Sequence, residues 1–240
     1  MRIGLQLGIR GYGAMGQLPE RDLATAVRMA GAASFSGVEV MVPTVLNHAD
    51  AWSTIADNGL TCSGFHVFFH ELDTALRLLD RAGHADVTTI VSFDEGASDD
   101  NSPAVATRLA TLRAEGRDIR FHPHDADLWS RTGGSLVDHL LDRAPDVEYV
   151  LDTYWTARAG KTVVDLSGRL QTSYVHAKDG RLSEGLVARL GDGDVAVLDQ
   201  VRVLAPVLDW VVYENDNPAD DIVADLAHAS RFLRDALSDV

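Results

Sequence analysis

Eight short segments rich in β-branched and aromatic residues alternate along the chain with segments of helical periodicity. Helical spacing is seen, for example, in Leu23, Val27 and Ala30, which would lie on one face of a helix. Repeated strand–helix units build a parallel sheet, and eight of them can close into a (β/α)8 TIM barrel of about 250 residues. The predicted strands are residues 2–8, 37–41, 61–68, 87–93, 118–122, 147–152, 172–178 and 210–215.

An open, doubly wound sheet is the alternative architecture for the same alternation of strands and helices. Two observations favour the barrel: the units number eight, and no G-x-G-x-x-G fingerprint opens the first predicted helix. No linker or low-complexity segment divides the 240 residues. We therefore predict a single (β/α)8 barrel domain over residues 1–240.

Charge and composition argue against several classes of partner. The formal net charge is −15, and no cluster of Lys and Arg offers a surface for the phosphates of a nucleic acid. No apolar run is long enough to cross a bilayer, and the first residues lack the apolar core of a signal peptide. Cys62 is the only cysteine, which fits a reducing compartment. The sequence predicts a cytoplasmic protein that binds neither nucleic acid nor membrane.

The carboxyl ends of the predicted strands carry polar side chains. In a TIM barrel the active site forms at these ends, and alternate residues of each strand point into the barrel. A single His or Asp at a strand end is more often a capping residue than a ligand. A whole ring of inward imidazoles and carboxylates, however, must be paired, hydrated or bound to a metal. The residues at these ends are Gln6, Glu39, His66, His122, Asp152, His176, Lys178 and Glu214.

The donor types in this ring indicate which metals are suitable. Imidazole and carboxylate groups together suit Mn²⁺, Co²⁺, Zn²⁺ or Fe²⁺, and Mg²⁺ less well. The sequence contains neither C-x-x-C nor H-E-x-x-H. A metal site would therefore have to be assembled from several strands.

Two local patterns lead to further predictions. Arg120 has the parity of His122 and would point into the barrel below the site. Glu148 on the next strand could pair with it, because an unpaired buried arginine is very costly. The glycines of GDGD, residues 191–194, predict a turn, with Asp194 as the N-cap of the following helix.

Five segments, in the correct order along the chain, resemble the sugar phosphate isomerase/epimerase family of xylose isomerase-like TIM barrels. The resemblance extends from about Gly37 to the C-terminus. The first segment is similar to the family's fifth-strand pattern, an aromatic residue, a His, a small residue, a second His and a downstream acid. The segments are FHPHDADL (121–128), LDTYWTARAG (151–160), SYVHAKDGR (173–181), LGDGDVAV (190–197) and VVYENDNPADDIVADLAHASRFL (211–233).

The resemblance implies a set of site residues. Members of the family bind one divalent metal ion with side chains from strands five to eight, here His122, Asp152, His176 and Glu214. Mn²⁺ is the preferred ion, with Co²⁺, Zn²⁺, Mg²⁺ or Fe²⁺ as alternatives. Lys178 would lie over the substrate oxygens, and Trp155 would form an apolar wall for a sugar ring. Further residues assigned to the substrate pocket or to the support of ligands are Glu39, His66, His124 and Asp127.

Two positions differ from the ketose epimerases of the family. Those enzymes have a glutamate, one of two acid/base carboxylates, where this chain has His122, and a histidine where it has Trp155. The expected chemistry is therefore metal-assisted proton abstraction without a symmetric pair of carboxylates. The sequence also resembles relatives of lyases that act on 3-keto sugars, including enzymes that cleave C-glycosides.

The resemblance implies a divalent-metal-dependent isomerase or epimerase of a sugar or keto-sugar. The metal would stabilise an enediolate, Glu214 would remove the proton next to the carbonyl, and His122 or Lys178 would assist its return. One alternative is a lyase or hydratase acting on 3-keto sugars or glycosides. Another is a catalytically degenerate barrel that serves as a partner subunit. Short loops over the mouth also predict a homodimer or hetero-oligomer, in which a neighbouring subunit excludes water.

Overall fold

Eight parallel strands close into a barrel in the computed structural model, which describes residues 1–7, 23–41, 50–93, 102–129, 134–216 and 221–238. The strands are β1 (Arg2–Leu7), β2 (Gly37–Met41), β3 (Thr61–Phe68), β4 (Thr89–Ser92), β5 (Ile119–Phe121), β6 (Glu148–Asp152), β7 (Tyr174–Ala177), β8 (Asp179–Arg181), β9 (Leu186–Ala188) and β10 (Trp210–Tyr213). The order around the barrel is β1, β10, β7, β6, β5, β4, β3 and β2, while β8 and β9 form a separate antiparallel pair. The closed barrel confirms the predicted fold over the open sheet.

Helices connect the strands and cover the outside of the barrel. In the helix Leu72–Arg81, the buried residues Leu72, Ala75, Leu76 and Leu79 form the single apolar face that the sequence periodicity predicts. No helix in the described part of the chain is long and apolar enough to cross a membrane. The helices are α1 (Leu23–Ala32), α2 (Ala51–Asp57), α3 (Leu72–Arg81), α4 (Ser102–Ala114), α5 (Asp125–Leu128), α6 (Leu136–Arg143), α7 (Thr153–Arg158), α8 (Val163–Ser167), α9 (Val197–Leu204) and α10 (Ile222–Leu237), with 3-10 turns at Phe69–Glu71 and Ala205–Val207.

The interior of the barrel has its own small apolar cluster. Because side chains alternate along a strand, Val211 and Tyr213 of β10 join the large core beneath the helices, whereas Trp210 and Val212 face the barrel axis. Trp210 packs against Gly37, where a Cβ atom would lie only 2.7 Å from the indole ring. The inner cluster consists of Ile90, Val150, Tyr174, Trp210 and Val212. This cluster fills the lower part of the barrel interior. The polar residues that also point to the barrel axis therefore lie above it, at the mouth.

Arg120 and Glu148 pair below the mouth, as predicted. They stand opposite each other on β5 and β6, with 3.5 Å between Arg120 Nη1 and Glu148 Oε2. The same nitrogen donates to Ser173 Oγ at 2.8 Å. The half-buried guanidinium therefore has an acidic partner within the barrel.

The segment after β7 differs from the prediction in two ways. The β8–β9 hairpin was not predicted, since each of its strands is only three residues long and shows no clear alternation. The prediction for Asp194 was wrong: α9 begins after Ala196, and Asp194 Oδ2 accepts a hydrogen bond from Leu182 N at 3.1 Å. Asp194 thus ties the GDGD turn to the tip of the hairpin.

Candidate metal centre

Four barrel strands each bring one His or acidic side chain to the same point at the mouth. His122 follows β5 directly, Asp152 ends β6, His176 lies within β7, and Glu214 follows β10 directly. One nitrogen or oxygen atom of each lies within 4.8 Å of the corresponding atoms of the others. All four side chains are buried. The structure therefore brings together the four residues predicted as ligands, which we call the tetrad.

His122 is held so that one ring nitrogen faces the tetrad. Its Nδ1 lies 3.0 Å from the carbonyl oxygen of Val150, which can only accept, so Nδ1 carries the proton. Its Nε2 is buried and has no hydrogen-bond partner among the described residues. Burial lowers the pKa of His122 well below its usual value, and the neighbouring His176 lowers it further. His122 is a neutral imidazole with a free lone pair directed at the tetrad.

Asp152 combines a capping role with a free oxygen. Its Oδ1 accepts from Trp155 N at 2.7 Å and so caps α7. Its Oδ2 is buried without a partner in the described parts of the chain. Burial is the main reason that the pKa of Asp152 is raised to about 7. One oxygen thus fixes the carboxylate, and the other faces the tetrad.

His176 and Glu214 complete the tetrad. His176 Nδ1 and Glu214 Oε2 lie 2.7 Å apart but lack the alignment of a hydrogen bond. Burial lowers the pKa of His176, but the carboxylates of Glu39 and Glu214 outweigh it and raise that pKa to about 10. Burial raises the pKa of Glu214, yet Lys178 and His176 bring it well below its usual value. Glu214 is therefore ionised at neutral pH.

The tetrad fits a divalent cation. Each member presents a buried atom without a hydrogen-bond partner among the residues described: His122 Nε2, Asp152 Oδ2, His176 Nδ1 and Glu214 Oε2. His176 Nδ1 and Glu214 Oε2 form an ion pair with each other at 2.7 Å. Orphaned buried polar atoms such as His122 Nε2 and Asp152 Oδ2 are rare in native proteins and require an explanation. Two imidazole nitrogens and two carboxylate oxygens form a donor set suitable for Mn²⁺, Co²⁺, Zn²⁺ or Fe²⁺. A bound cation would satisfy all four atoms at once.

Lys178 lies beside the tetrad as a buried ammonium group. Its Nζ donates to Glu214 Oε1 at 2.8 Å and also pairs with Asp216, which sequence reasoning had not assigned to the site. The same nitrogen lies 4.9 Å from the centre of the Trp155 ring. Burial alone would lower the pKa of Lys178, but the carboxylates around it, Glu214 first, raise it above its usual value. The site therefore holds a fixed proton donor next to Glu214.

The other residues predicted for the pocket form a wall on the β5–β6 side. The rings of His122 and His124 are 5.1 Å apart, and that of Trp155 lies 4.9 Å from His124. Asp127 Oδ2 accepts from His124 N at 2.9 Å at the start of α5. Burial, and then Lys178, lower the pKa of His124 to about 3, so this ring is neutral at physiological pH. A contact of these residues with substrate stays a prediction.

Glu39 and His66 lie behind the tetrad. Glu39 is fully buried, and His176 Nε2 donates to its Oε2 at 2.8 Å. His66 Nδ1 is 2.8 Å from Glu39 Oε1. Gln6 and Tyr174 also donate to Glu39, and the role of Tyr174 was missed, although its parity with His176 places both on the same inner face. The described contacts of Glu39 and His66 are all to other groups of the protein. Contact of these two residues with substrate stays a prediction.

Comparison with known proteins identifies the fold. The sequence matches no protein-family model and no curated protein. Solved structures do match over nearly the whole chain. The likeness shows a xylose isomerase-like TIM barrel, as predicted.

Three of the similar structures illustrate the range of proteins with this fold. The probable 3-DHS dehydratase AsbF of Bacillus anthracis, involved in petrobactin synthesis, has a TM-score of 0.74 at 14% identity, covering 97% of this chain and 98% of its own. An L-ribulose 3-epimerase has a TM-score of 0.72 at 16% identity, covering 99% and 95%. A xylose isomerase-like TIM barrel protein from Mycobacterium smegmatis, in complex with magnesium, has a TM-score of 0.68 at 13% identity, covering 99% and 97%.

The raised pKa of Asp152 predicts a stabilising substitution in the metal-free protein. Because the folded-state pKa of about 7 exceeds the unfolded value, the contribution of Asp152 to wild-type stability falls as pH rises from about 4 to above 7. Asp152→Asn keeps the capping oxygen and removes the charge. It should raise the free energy of unfolding by a few kcal/mol at pH 8 in EDTA, with little effect at pH 4. Urea denaturation at both pH values measures the difference.

Asp138→Asn provides a control whose expected effect on the free energy of unfolding has the opposite sign. Burial raises its pKa, but hydrogen bonds from Ser135 and Arg169 outweigh this and lower it to about 2. A carboxyl group with a lowered pKa stabilises the folded state above its unfolded pKa, and that stability is lost in acid. Asp138→Asn should therefore destabilise at pH 8. A loss of stability in Asp152→Asn similar to that of Asp138→Asn would contradict the destabilising effect assigned to the buried, ionised Asp152.

Proposed function

We propose that this chain is a divalent-metal-dependent isomerase or epimerase of a sugar or keto-sugar. The observation that carries the proposal is the tetrad, where four strand ends bring four buried donor atoms within 4.8 Å of one another, and where two of these atoms, His122 Nε2 and Asp152 Oδ2, have no hydrogen-bond partner among the described residues. A divalent ion bound there acts as a Lewis acid for adjacent substrate oxygens and for the charge that develops when a neighbouring C–H is deprotonated. The remaining steps are assigned to side chains of the chain itself.

Glu214 is the proposed base. It is ionised at neutral pH, and its Oε1 is fixed by the hydrogen bond from Lys178. Lys178 is the better placed of the two residues expected to return the proton, because its Nζ lies 2.8 Å from Glu214 Oε1. In His122 the only proton is held by the Val150 carbonyl, and the other nitrogen faces the tetrad. His122 is therefore better suited to be a ligand than a proton carrier.

Trp155 is the proposed wall for the carbon skeleton of the substrate. Its ring lies between His124 and Lys178 at the edge of the tetrad. An aromatic face offers apolar contact to the C–H groups of a sugar, while the polar groups around it contact hydroxyl oxygens. This arrangement supports a small carbohydrate as the substrate.

A lyase or dehydratase is the second candidate. With His122 on β5, the tetrad contributes a single proposed base, and Lys178 next to it can protonate a leaving oxygen. Removal of a proton followed by loss of a β-leaving group needs one base and one acid, whereas two-sided epimerisation needs a base on each face. One of the proteins with a similar fold is described as a dehydratase, which supports keeping this candidate.

Product analysis in D₂O separates the two candidates. The Mn²⁺-loaded protein is incubated with a panel of free ketoses and with 3-keto glycosides. Deuterated isomers or epimers of a ketose support the leading proposal, whereas an unsaturated product and a released leaving group support the second. A purified protein that binds no divalent ion and ignores added Mn²⁺ would instead be the degenerate partner subunit.

The proposal also includes the assembly and the cellular location of this protein. The substrate is a small molecule, and water exclusion at the mouth is assigned to a second subunit, in a homodimer or hetero-oligomer. A cytoplasmic location is consistent with the single, unpaired Cys62. Light scattering that shows a fully active monomer would remove the proposed oligomer.

A further inference from the structure

Glu39 is a buried carboxylate on β2 that accepts hydrogen bonds from four side chains. Its Oε1 receives Gln6 Nε2 and His66 Nδ1, each at 2.8 Å. Its Oε2 receives the Tyr174 hydroxyl at 2.7 Å and His176 Nε2 at 2.8 Å. Glu39 has no exposed surface and is not a member of the tetrad. Its carboxylate does directly contact one member, His176.

Glu39, His66 and His176 could also be considered a second metal site, because one atom from each lies within 4.8 Å of the others. The hydrogen bonding argues against this. Both oxygens of Glu39 already have donors, and the second nitrogen of His66 lies 2.9 Å from the hydroxyl of Ser92. In the tetrad, by contrast, His122 Nε2 and Asp152 Oδ2 have no hydrogen-bond partner among the described residues. This group is therefore a hydrogen-bond network and not a ligand set.

The contact with Glu39 determines which nitrogen of His176 faces the tetrad. A carboxylate only accepts, so His176 Nε2 must carry a proton to bond Glu39. The other nitrogen, Nδ1, lies on the opposite side of the ring, 2.7 Å from Glu214. Histidines that bind metals commonly donate their other N–H to a carboxylate, which fixes the tautomer and makes the ligating nitrogen more basic.

We infer that Glu39 is a positioning residue, which holds the ring of His176 so that Nδ1 is presented to a divalent cation in the tetrad. This inference rests on the proposed function. The donors around Glu39 support it, because Gln6, His66 and Tyr174 fix the carboxylate in place. Glu39 is thus held behind His176 as an acceptor.

The test compares Glu39→Gln with the matched variant Asp225→Asn. Asp225 is also a buried carboxylate that accepts from the hydroxyl of a strand tyrosine, Tyr213, at 2.7 Å, but it does not contact the tetrad. Mn²⁺ affinity is measured from the EPR signal of free Mn²⁺. Glu39→Gln should weaken binding by about 10- to 100-fold, while Asp225→Asn should change it by less than about twofold.

A second readout follows the two ring nitrogens of His176 itself. Long-range ¹⁵N–¹H spectra of the Zn²⁺-loaded wild-type protein, assigned with His176→Gln, should show a protonated Nε2 and a metal-bound Nδ1. Glu39→Gln should shift the Nε2 signal, and Asp225→Asn should not.

The possible outcomes separate the inference from the proposed function. Wild-type protein that binds metal, together with unchanged affinity in Glu39→Gln or equal losses in both variants, overturns the inference and leaves the proposed function standing. An unprotonated Nε2 in the loaded wild type also overturns it. Wild-type protein that binds no divalent ion overturns both.

Discussion

Glu214→Gln is expected to slow proton exchange by about 10²- to 10⁴-fold while metal remains bound, because the substitution keeps an oxygen that can ligate but removes the base. The single amide oxygen of the variant can face the cation where Glu214 Oε2 does now. Lys178 then loses its hydrogen bond to Oε1 and keeps its ion pair with Asp216. The measurement is the incorporation of solvent deuterium at the α-carbon of a bound keto-sugar, made alongside metal content.

Glu148→Gln serves as the control for this experiment. Glu148 is a carboxylate at the other end of a barrel strand, where it pairs with Arg120 and not with the tetrad. Its substitution should leave the exchange rate unchanged. A metal-loaded Glu214→Gln protein that exchanges at the wild-type rate would show that the base is another residue.

His122→Ala is expected to lower Mn²⁺ affinity by more than about 100-fold, beyond the range for residues that only orient a ligand, and to abolish turnover. The substitution removes one of the four convergent donor atoms, so that only three would remain to hold the cation. Folding should be retained, because the barrel is stabilised by its apolar layers, which lie outside and below the tetrad. Mn²⁺ titration and circular dichroism measure the two effects.

The matched control for His122→Ala is His228→Ala. His228 also has a ring nitrogen bonded to a backbone carbonyl, that of Leu190 at 2.7 Å, but it lies on α10 away from the tetrad. The His228→Ala protein should bind Mn²⁺ like the wild type. Equal affinity in both variants would exclude His122 as a ligand, and unfolding of His122→Ala alone would assign it a structural role.

The strand-end residues that include the tetrad could be predicted from the sequence pattern, whereas the choice of these four as ligands was implied by the family resemblance. Alternation along a strand decides which residues face the barrel axis, and closure of the barrel brings all strand ends to one place. Asp152 shares parity with Val150, and His176 with Tyr174; both of these neighbours do lie in the inner cluster. The Arg120–Glu148 pair was predictable for the same reason, since neighbouring strands place them side by side.

The role of Glu39 could not be predicted, because it depends on a contact across the barrel. Glu39 on β2 and His176 on β7 are separated by 137 residues, and their strands are not hydrogen-bonded neighbours. Only the barrel radius and the side-chain rotamers bring them within 2.8 Å. Sequence parity shows that both face inward, but it does not show which polar groups meet. For this reason the contact between Glu39 and His176 is absent from the predictions made from the sequence.

Asp194 shows a second reason why a prediction from the sequence can be wrong. An Asp after glycines and before a helix favours an N-cap, and this local pattern predicted one. The actual partner, Leu182 N, lies on the hairpin that follows β7. Asp179 organises the same turn by accepting from the backbone of Gly191, Gly193 and Val195. Local propensity was overridden by a tertiary contact with an element that the sequence pattern did not reveal.

The most direct test of the central claim is a crystal of the wild-type protein soaked in Mn²⁺, with anomalous scattering measured at the manganese edge. We expect a single strong anomalous peak at the barrel mouth, within about 2.3 Å of His122 Nε2, Asp152 Oδ2, His176 Nδ1 and Glu214 Oε2. A peak bound by other residues, or a mouth without any peak at saturating Mn²⁺, would contradict the assignment of the tetrad as the metal centre.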